Sequence, residues 1–171
     1  MKKYKLTEET LEIYGCTLHR IVALRDFGDV RKGNIGGWIE DEDNLSHDDD
    51  CWVYGDAKVY GNAVVYGNAE VYGNAEVYGD AEVYGDAVVY GNAVVYGDAK
   101  VEKKSDYIVF KNWWSSGRHF TWTRSNDKWK VGCFYGTGEE LIKKAYKDSE
   151  DKGREYERAV KYVESIKSEI K

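Results

Sequence analysis

Eight copies of one hexapeptide, V-Y-G-[N/D]-A-x, follow one another without a gap between Val53 and Val101. Self-similarity at a fixed period is the strongest constraint a sequence can place on its fold. Six residues fit no helical period. Within A-x-V the first and third residues share one face of a strand, so alanine and valine point one way and x the other. The intervening Y-G-[N/D] has to turn the chain, and Gly and Asn/Asp are the residues that accept left-handed backbone. Each unit is therefore one short strand plus one corner, with Val and Ala inward.

Three strands and three corners close a triangular coil of 18 residues. Residues 18 apart then stack roughly 4.8 Å apart. Tyrosines fall into the columns Tyr54/Tyr72/Tyr90, Tyr60/Tyr78/Tyr96 and Tyr66/Tyr84. Asn/Asp columns run alongside: Asp56/Asn74/Asn92, Asn62/Asp80/Asp98 and Asn68/Asp86. The outward x columns are Trp52/Glu70/Val88, Lys58/Glu76/Val94 and Val64/Glu82/Lys100. This spacing of an aliphatic residue and a small residue four places on resembles the hexapeptide-repeat family. The resemblance implies a left-handed parallel β-helix. The chain departs from that family in placing Tyr after every repeat valine until Glu102.

The flanks read as caps on an all-β column. Residues 1–52 contain a β-hairpin turning at Tyr14-Gly15, with Leu11, Ile13, Leu18, Ile21 and Val22 around it. An irregular first coil follows, with Val30, Ile35, Ile39 and Leu45 inward and Gly33, Gly36 and Gly37 at corners. Residues 53–101 are the regular β-helix. Residues 102–171 form a small α+β module. "SDYIVF", "RHFTWTR" and "KWKVGCF" read as three strands. Thr137-Gly138-Glu139-Glu140 has capping-box spacing, opening a helix through Leu141 and Ala145, and Gly153 separates a second. The expected fold class is mainly β: a parallel β-helix with an N-terminal hairpin and a C-terminal α+β module.

Charge separates these parts. Residues 1–100 carry 9 Lys/Arg against 19 Asp/Glu, a balance of −10, and residues 101–171 carry 16 against 12, a balance of +4. An acidic column offers no track for duplex phosphates, so double-stranded nucleic acid is excluded as its partner. No apolar run is long enough to span a membrane, and the N-terminus has no secretory h-region. Cys16, Cys51 and Cys133 are scattered and odd in number, arguing against zinc sites or a disulfide framework. Cytoplasmic residence is expected.

The stretch "NWWSSGRHFTWTRSNDKWK" interleaves aromatic and cationic residues. Bases stack on aromatic faces and Arg or Lys meets phosphate, so Trp113, Trp114, Arg118, His119, Arg124 and Lys128 are candidate contacts for a ligand or partner. The competing expectation is a packed sheet, with Phe120 and Trp122 facing in and Arg118 and Arg124 out. The acidic run Glu40-Asp41-Glu42-Asp43 and Asp48-Asp49-Asp50 lacks the register of a calcium loop and reads as a solvated loop. Val64, Val88 and Val94 interrupt the charged x columns, and with Tyr90 and Tyr96 they are candidates for a homotrimer contact.

The leader "LHRIVALRDFGDVRKGNIGGWIEDEDNLS", the coil run and the closing "VGCFYGTGEEL" resemble hexapeptide-repeat proteins of bacteriophages and prophages of gut bacteria. That resemblance implies no defined activity. It leads to the expectation of a non-enzymatic binding protein in a bacterial host. Its β-helix would be a trimeric scaffold, and its C-terminal module would neutralise a host component, as inhibitors of bacterial immunity such as anti-CRISPR proteins do. The target would be a protein or a small signalling nucleotide. No catalytic residue, metal or cofactor is expected. The alternatives are a hexapeptide-type acyltransferase using His47 or His119 as base and a virion-associated structural protein. A three-histidine zinc site and an ice-binding threonine face both fit poorly.

Overall fold

Every inward valine and alanine of the repeat is sealed from solvent. In the computed structural model, which describes residues 1–171, Val53 through Val101 and Ala57 through Ala99 at their six-residue intervals are all 0% exposed. Nine two-residue strands carry the valines, each but the first with an alanine just before it: Trp52–Val53 (β4), Lys58–Val59 (β5), Val64–Val65 (β6), Glu70–Val71 (β7), Glu76–Val77 (β8), Glu82–Val83 (β9), Val88–Val89 (β10), Val94–Val95 (β11) and Lys100–Val101 (β12). They stack in parallel on three faces, β4-β7-β10, β5-β8-β11 and β6-β9-β12, with partners 18 residues apart. The glycine after each repeat tyrosine has φ between +59° and +75°, the left-handed corner that the pattern demands.

The outward residues bond from coil to coil. The hydroxyls of Tyr54, Tyr60 and Tyr66 donate to Glu70 (3.4 Å), Glu76 (3.4 Å) and Glu82 (2.8 Å), sixteen residues on. The glutamates of the x columns therefore belong to the tyrosine ladders. Rings stack at 4.8 Å for Tyr60–Tyr78, 5.1 Å for Tyr66–Tyr84 and 5.4 Å for Tyr72–Tyr90. Asn62 and Asn68 donate to Asp80 (2.9 Å) and Asp86 (3.1 Å) in the coil that follows.

The N-terminal end is closed by a hairpin. Strands Tyr4–Ile13 (β1) and Cys16–Ala23 (β2) pair antiparallel around Tyr14-Gly15, and β2 pairs with Ile35–Ile39 (β3). β3 then runs parallel to β5, so the hairpin extends one face of the column. The irregular coil turns through buried Asn44. Its Oδ1 accepts from the N–H groups of Glu40 (3.1 Å) and Asp41 (2.9 Å), and its Nδ2 donates to the carbonyls of Gly61 and Ala63 (both 2.9 Å). The buried Lys3 amine donates to the carbonyl of Cys51 at 2.8 Å and lies 3.2 Å from its Sγ. Burial pushes this amine below the usual lysine value, against the pull of the Cys51 thiol.

Several expectations for this end are corrected. Trp52, placed in an outward column, is buried beneath Tyr4 and Phe27, because the leader folds over it. Ile35, placed inward, is 68% exposed, since it sits at the outer end of β3 opposite Val22. Gly36 and Gly37 occupy β3 rather than corners. A Cβ on Gly37 would lie 2.6 Å from the Ala57 carbonyl and from Val53 Cγ1, so close packing, not turning, requires glycine there.

The C-terminal module is a four-stranded antiparallel sheet, Tyr107–Lys111 (β13), His119–Thr123 (β14), Lys128–Val131 (β15) and Phe134–Gly136 (β16), under helices Gly138–Asp148 (α1) and Glu150–Ile166 (α2). "KWKVGCF" is a hairpin, not one strand: Gly132 takes φ +55° and Val131 pairs with Phe134 across a two-residue turn. The helices part at Ser149, whose N–H donates the last α1 bond to the Ala145 carbonyl and whose side chain accepts from the Lys152 N–H. Gly153 lies inside α2, where a Cβ would meet the Tyr146 ring at 2.3 Å.

Phe120 and Trp122 do face the helices, among Trp129, Leu141, Tyr156 and Val160. The opposite face of β14 is equally buried, at Thr121 and Thr123, and it rests on the end of the column. There the module replaces the missing next coil. Tyr107, Thr121, Ser125 and Asp106 side chains accept from the backbone N–H groups of Tyr90, Val94, Lys100 and Glu102 respectively, covering all three faces.

Candidate functional site

Strand alternation in β14 sends Phe120 and Trp122 into the module and leaves His119, the strand's first residue, at its exposed edge beside Arg118. Both overhang a cleft of about 510 Å³ between the module and the β5-β8-β11 face. Lys58, Glu76 and Val94 form its floor, with Asn74 and Asn92 at the neighbouring corner. Tyr14 at the hairpin tip and Lys130 of β15 complete the rim. A recess of about 300 Å³, also lined by Arg118, His119 and Gly132, continues toward Ser115, Lys152 and Tyr156.

The cleft is electropositive at its module end. Neither Arg118 nor His119 has an ion pair or side-chain hydrogen bond among the bonds of the chain. Lys130 Nζ donates to the Gly132 carbonyl at 2.6 Å and lies 4.9 Å from the Tyr96 ring centroid. Burial holds its amine below the usual lysine value. On the floor, Lys58 and Glu76 are 4.0 Å apart.

The six candidate contacts do not converge on one cleft. Arg118 and His119 share the junction. Trp113, 71% exposed, and Trp114 line a separate groove of about 230 Å³ beside α2, with Lys111, Arg158 and Tyr162. The Trp114 indole N–H is enclosed there without a partner, and its ring meets Tyr156 edge-on at 5.0 Å. Arg124 is engaged by Asp106 at 3.3 Å. Lys128 starts β15, opposite Thr123. Of the residues considered for subunit contact, Val94 lies under β14 and Tyr96 meets Tyr135 edge-on at 4.8 Å. Val64 and Val88 stay half-buried and Tyr90 is exposed.

The other two histidines serve the N-terminal cap. His19 Nδ1 is 3.1 Å from the Thr7 carbonyl. His47 stacks on Tyr4 at 4.2 Å and its Nδ1 accepts from Lys3 N–H. Within the acidic run, Glu42 is tied to Lys2 at 2.6 Å, which holds its carboxyl below the usual range. No group of three metal-ligating side chains converges, and no helix is long and apolar enough to cross a membrane.

No known family signature matches this chain. A stretch of 62 residues is 37% identical to a protein of Escherichia coli K12 named uncharacterized acetyltransferase YdcK. The match takes in 32% of this chain and 19% of that protein, so the chain spans only about a fifth of the curated relative it matches. Coil geometry and this likeness together fit a hexapeptide-repeat β-helix.

Sequence reasoning missed Tyr14, Asn74, Asn92 and Lys130 as cleft residues, because they come from the hairpin turn, two corners of the column and β15. One signal was present. Of the three Asn/Asp columns, only Asp56/Asn74/Asn92 stacks asparagine on asparagine, and that column borders the cleft.

Proposed function

We propose that this protein is a non-catalytic binding protein that holds an anionic ligand in the junction cleft. The observation that carries this reading is the meeting of Arg118 and His119, whose side chains have no partner within the chain, with Lys130 at one rim, on a chain whose first hundred residues are strongly acidic. The Arg118 guanidinium, left without an internal partner, retains its full capacity to meet phosphate or carboxylate. The β-helix supplies a floor that does not reorganise, which lowers the ordering cost of binding. The resemblance to phage and prophage proteins favours a host component as the ligand's source, bound in the bacterial cytoplasm. A homotrimer built on the β4-β7-β10 face, through Val88 and Tyr90, fits the scaffold role.

Calorimetric titration of the full chain with inorganic tripolyphosphate tests the reading. Binding is expected to weaken as ionic strength rises and to be lost in Arg118→Glu. Absence of binding at low salt overturns it.

A second reading, acyl transfer with His119 as base, is favoured by the acetyltransferase-named relative. A general base needs a fixed imidazole within reach of its substrate, and His119 has no hydrogen-bond partner to orient it. Turnover of acetyl-coenzyme A that is abolished by His119→Ala would replace the binding reading.

A further inference from the structure

We propose that the junction cleft takes an adenine nucleotide, with its phosphates at Arg118, His119 and Lys130 and its base against Tyr14, Asn74 and Asn92. The proposal rests on the anion-binding reading above and adds the other half of the ligand. Three observations point to it independently of Arg118, His119 and Lys130.

The first is a broken ladder. Elsewhere on the column the asparagine carboxamides are consumed by the next coil, Asn62 by Asp80 and Asn68 by Asp86. Asp98 at the end of its column is met by Asn126 at 3.0 Å. Asn74 and Asn92 make no such bond, and both line the cleft. Each presents a donor and an acceptor side by side, the pairing that adenine's N6 and N7 edge accepts from an asparagine.

The second is Tyr14. It occupies left-handed backbone, φ 48°, in a two-residue hairpin turn with Gly15. Turn chemistry favours Asn or Asp at that place, and a bulky side chain there costs energy that calls for a functional explanation. Tyr14 is 84% exposed and stands at the cleft mouth. A planar base offers such a ring a face to stack on, worth about 1–3 kcal/mol.

The third is the floor. The x column under the cleft ends in Val94, the one apolar member of Lys58/Glu76/Val94. Beside the Lys58–Glu76 pair, that valine gives a planar heterocycle an apolar contact that a bare polyphosphate cannot use. The cleft's volume of about 510 Å³ falls within the roughly 300–1,000 Å³ of small-ligand sites.

The test compares ATP, GTP and tripolyphosphate by calorimetry on the full chain. ATP is expected to bind at least about tenfold more tightly than either of the others, the order of discrimination one bidentate amide contact supplies. Tyr14→Ala and Asn92→Ala are expected to bring ATP down to the tripolyphosphate level while leaving tripolyphosphate unchanged; Arg118→Glu removes both. Equal affinity for ATP and tripolyphosphate, tighter GTP, or unchanged ATP binding in Tyr14→Ala overturns this proposal and leaves the anion site standing. Failure of all three to bind overturns the anion-binding reading itself.

Discussion

Tyr107 closes the first face of the column by bonding to Tyr90: its hydroxyl accepts the Tyr90 backbone N–H at 3.3 Å and donates to the Val88 carbonyl at 2.9 Å. Thr121 and Ser125 do the same work on the other two faces through Val94 and Lys100. An open coil end is a row of unpaired strand groups that invites another chain. Here three hydroxyls from three places in the module answer three faces.

Tyr107→Phe leaves two partly buried backbone groups of the last coil, the Tyr90 N–H and the Val88 carbonyl, without that partner. It is expected to cost about 1–3 kcal/mol, read as a lower urea midpoint at unchanged slope. Stability equal to the parent chain would show that water or a neighbouring group replaces the hydroxyl at no cost.

Asn44 and Asp106 occupy matching corners at the two ends. Each accepts two successive backbone N–H groups, those of Glu40 and Asp41 for one and of Glu102 and Lys103 for the other. Asn44 must also donate to Gly61 and Ala63 of the following coil. Asp106 has no following coil and meets Arg124 instead. Asn44→Asp is therefore expected to destabilise by roughly 2–4 kcal/mol through a carboxylate facing two carbonyls. Asp106→Asn should cost less. The reverse order in denaturant melts would refute this account of the corners.

Alkaline pH should unfold the column through its tyrosines. Burial first, and the glutamates beside them second, raise Tyr54 and Tyr66 to about 12, and burial pushes Tyr60 and Tyr78 higher still. A free tyrosine ionises near 10. The folded chain thus keeps protons that the unfolded chain releases, so this stability is complete below pH ~10 and is lost as pH rises toward ~12. Melting temperatures should fall across that window, less steeply in Tyr66→Phe, with phenolate absorbance appearing together with unfolding. Phenolate absorbance that appears near pH 10 in the folded chain would contradict it.

Gly153→Ala drives a Cβ into the Tyr146 ring where α1 and α2 pack together. A cost of about 1–3 kcal/mol is expected, partly recovered in the double variant with Tyr146→Leu. Additive effects would show that the two residues do not interact.

The column was legible because its rule is local: one strand residue in, one out, one glycine to turn. Thr137 was legible for the same reason, since its bond to Glu140 N–H spans only three residues. What escaped depends on segments far apart in the chain. Trp52 looked outward until Tyr4 and Phe27 folded over it. Gly153 looked like a helix break because a glycine needed for close approach to Tyr146 is identical in sequence to one needed for a turn. Arg118 and Arg124 looked equivalent on one strand, yet Asp106 claims one of them. The cleft escaped most fully, because its rim comes from both ends of the molecule.

That last fact makes the repeat number a gauge. Tyr14 belongs to the hairpin at one end of the column and Arg118 to the module at the other, and they face each other only because this many coils lie between. Duplicating three hexapeptides would widen their separation by roughly 4.8 Å and keep them on the same side. Duplicating one would swing the module a third of a turn away. Slippage within the tandem gene segment can thus resize or dismantle the cavity in whole steps without altering a single residue that lines it.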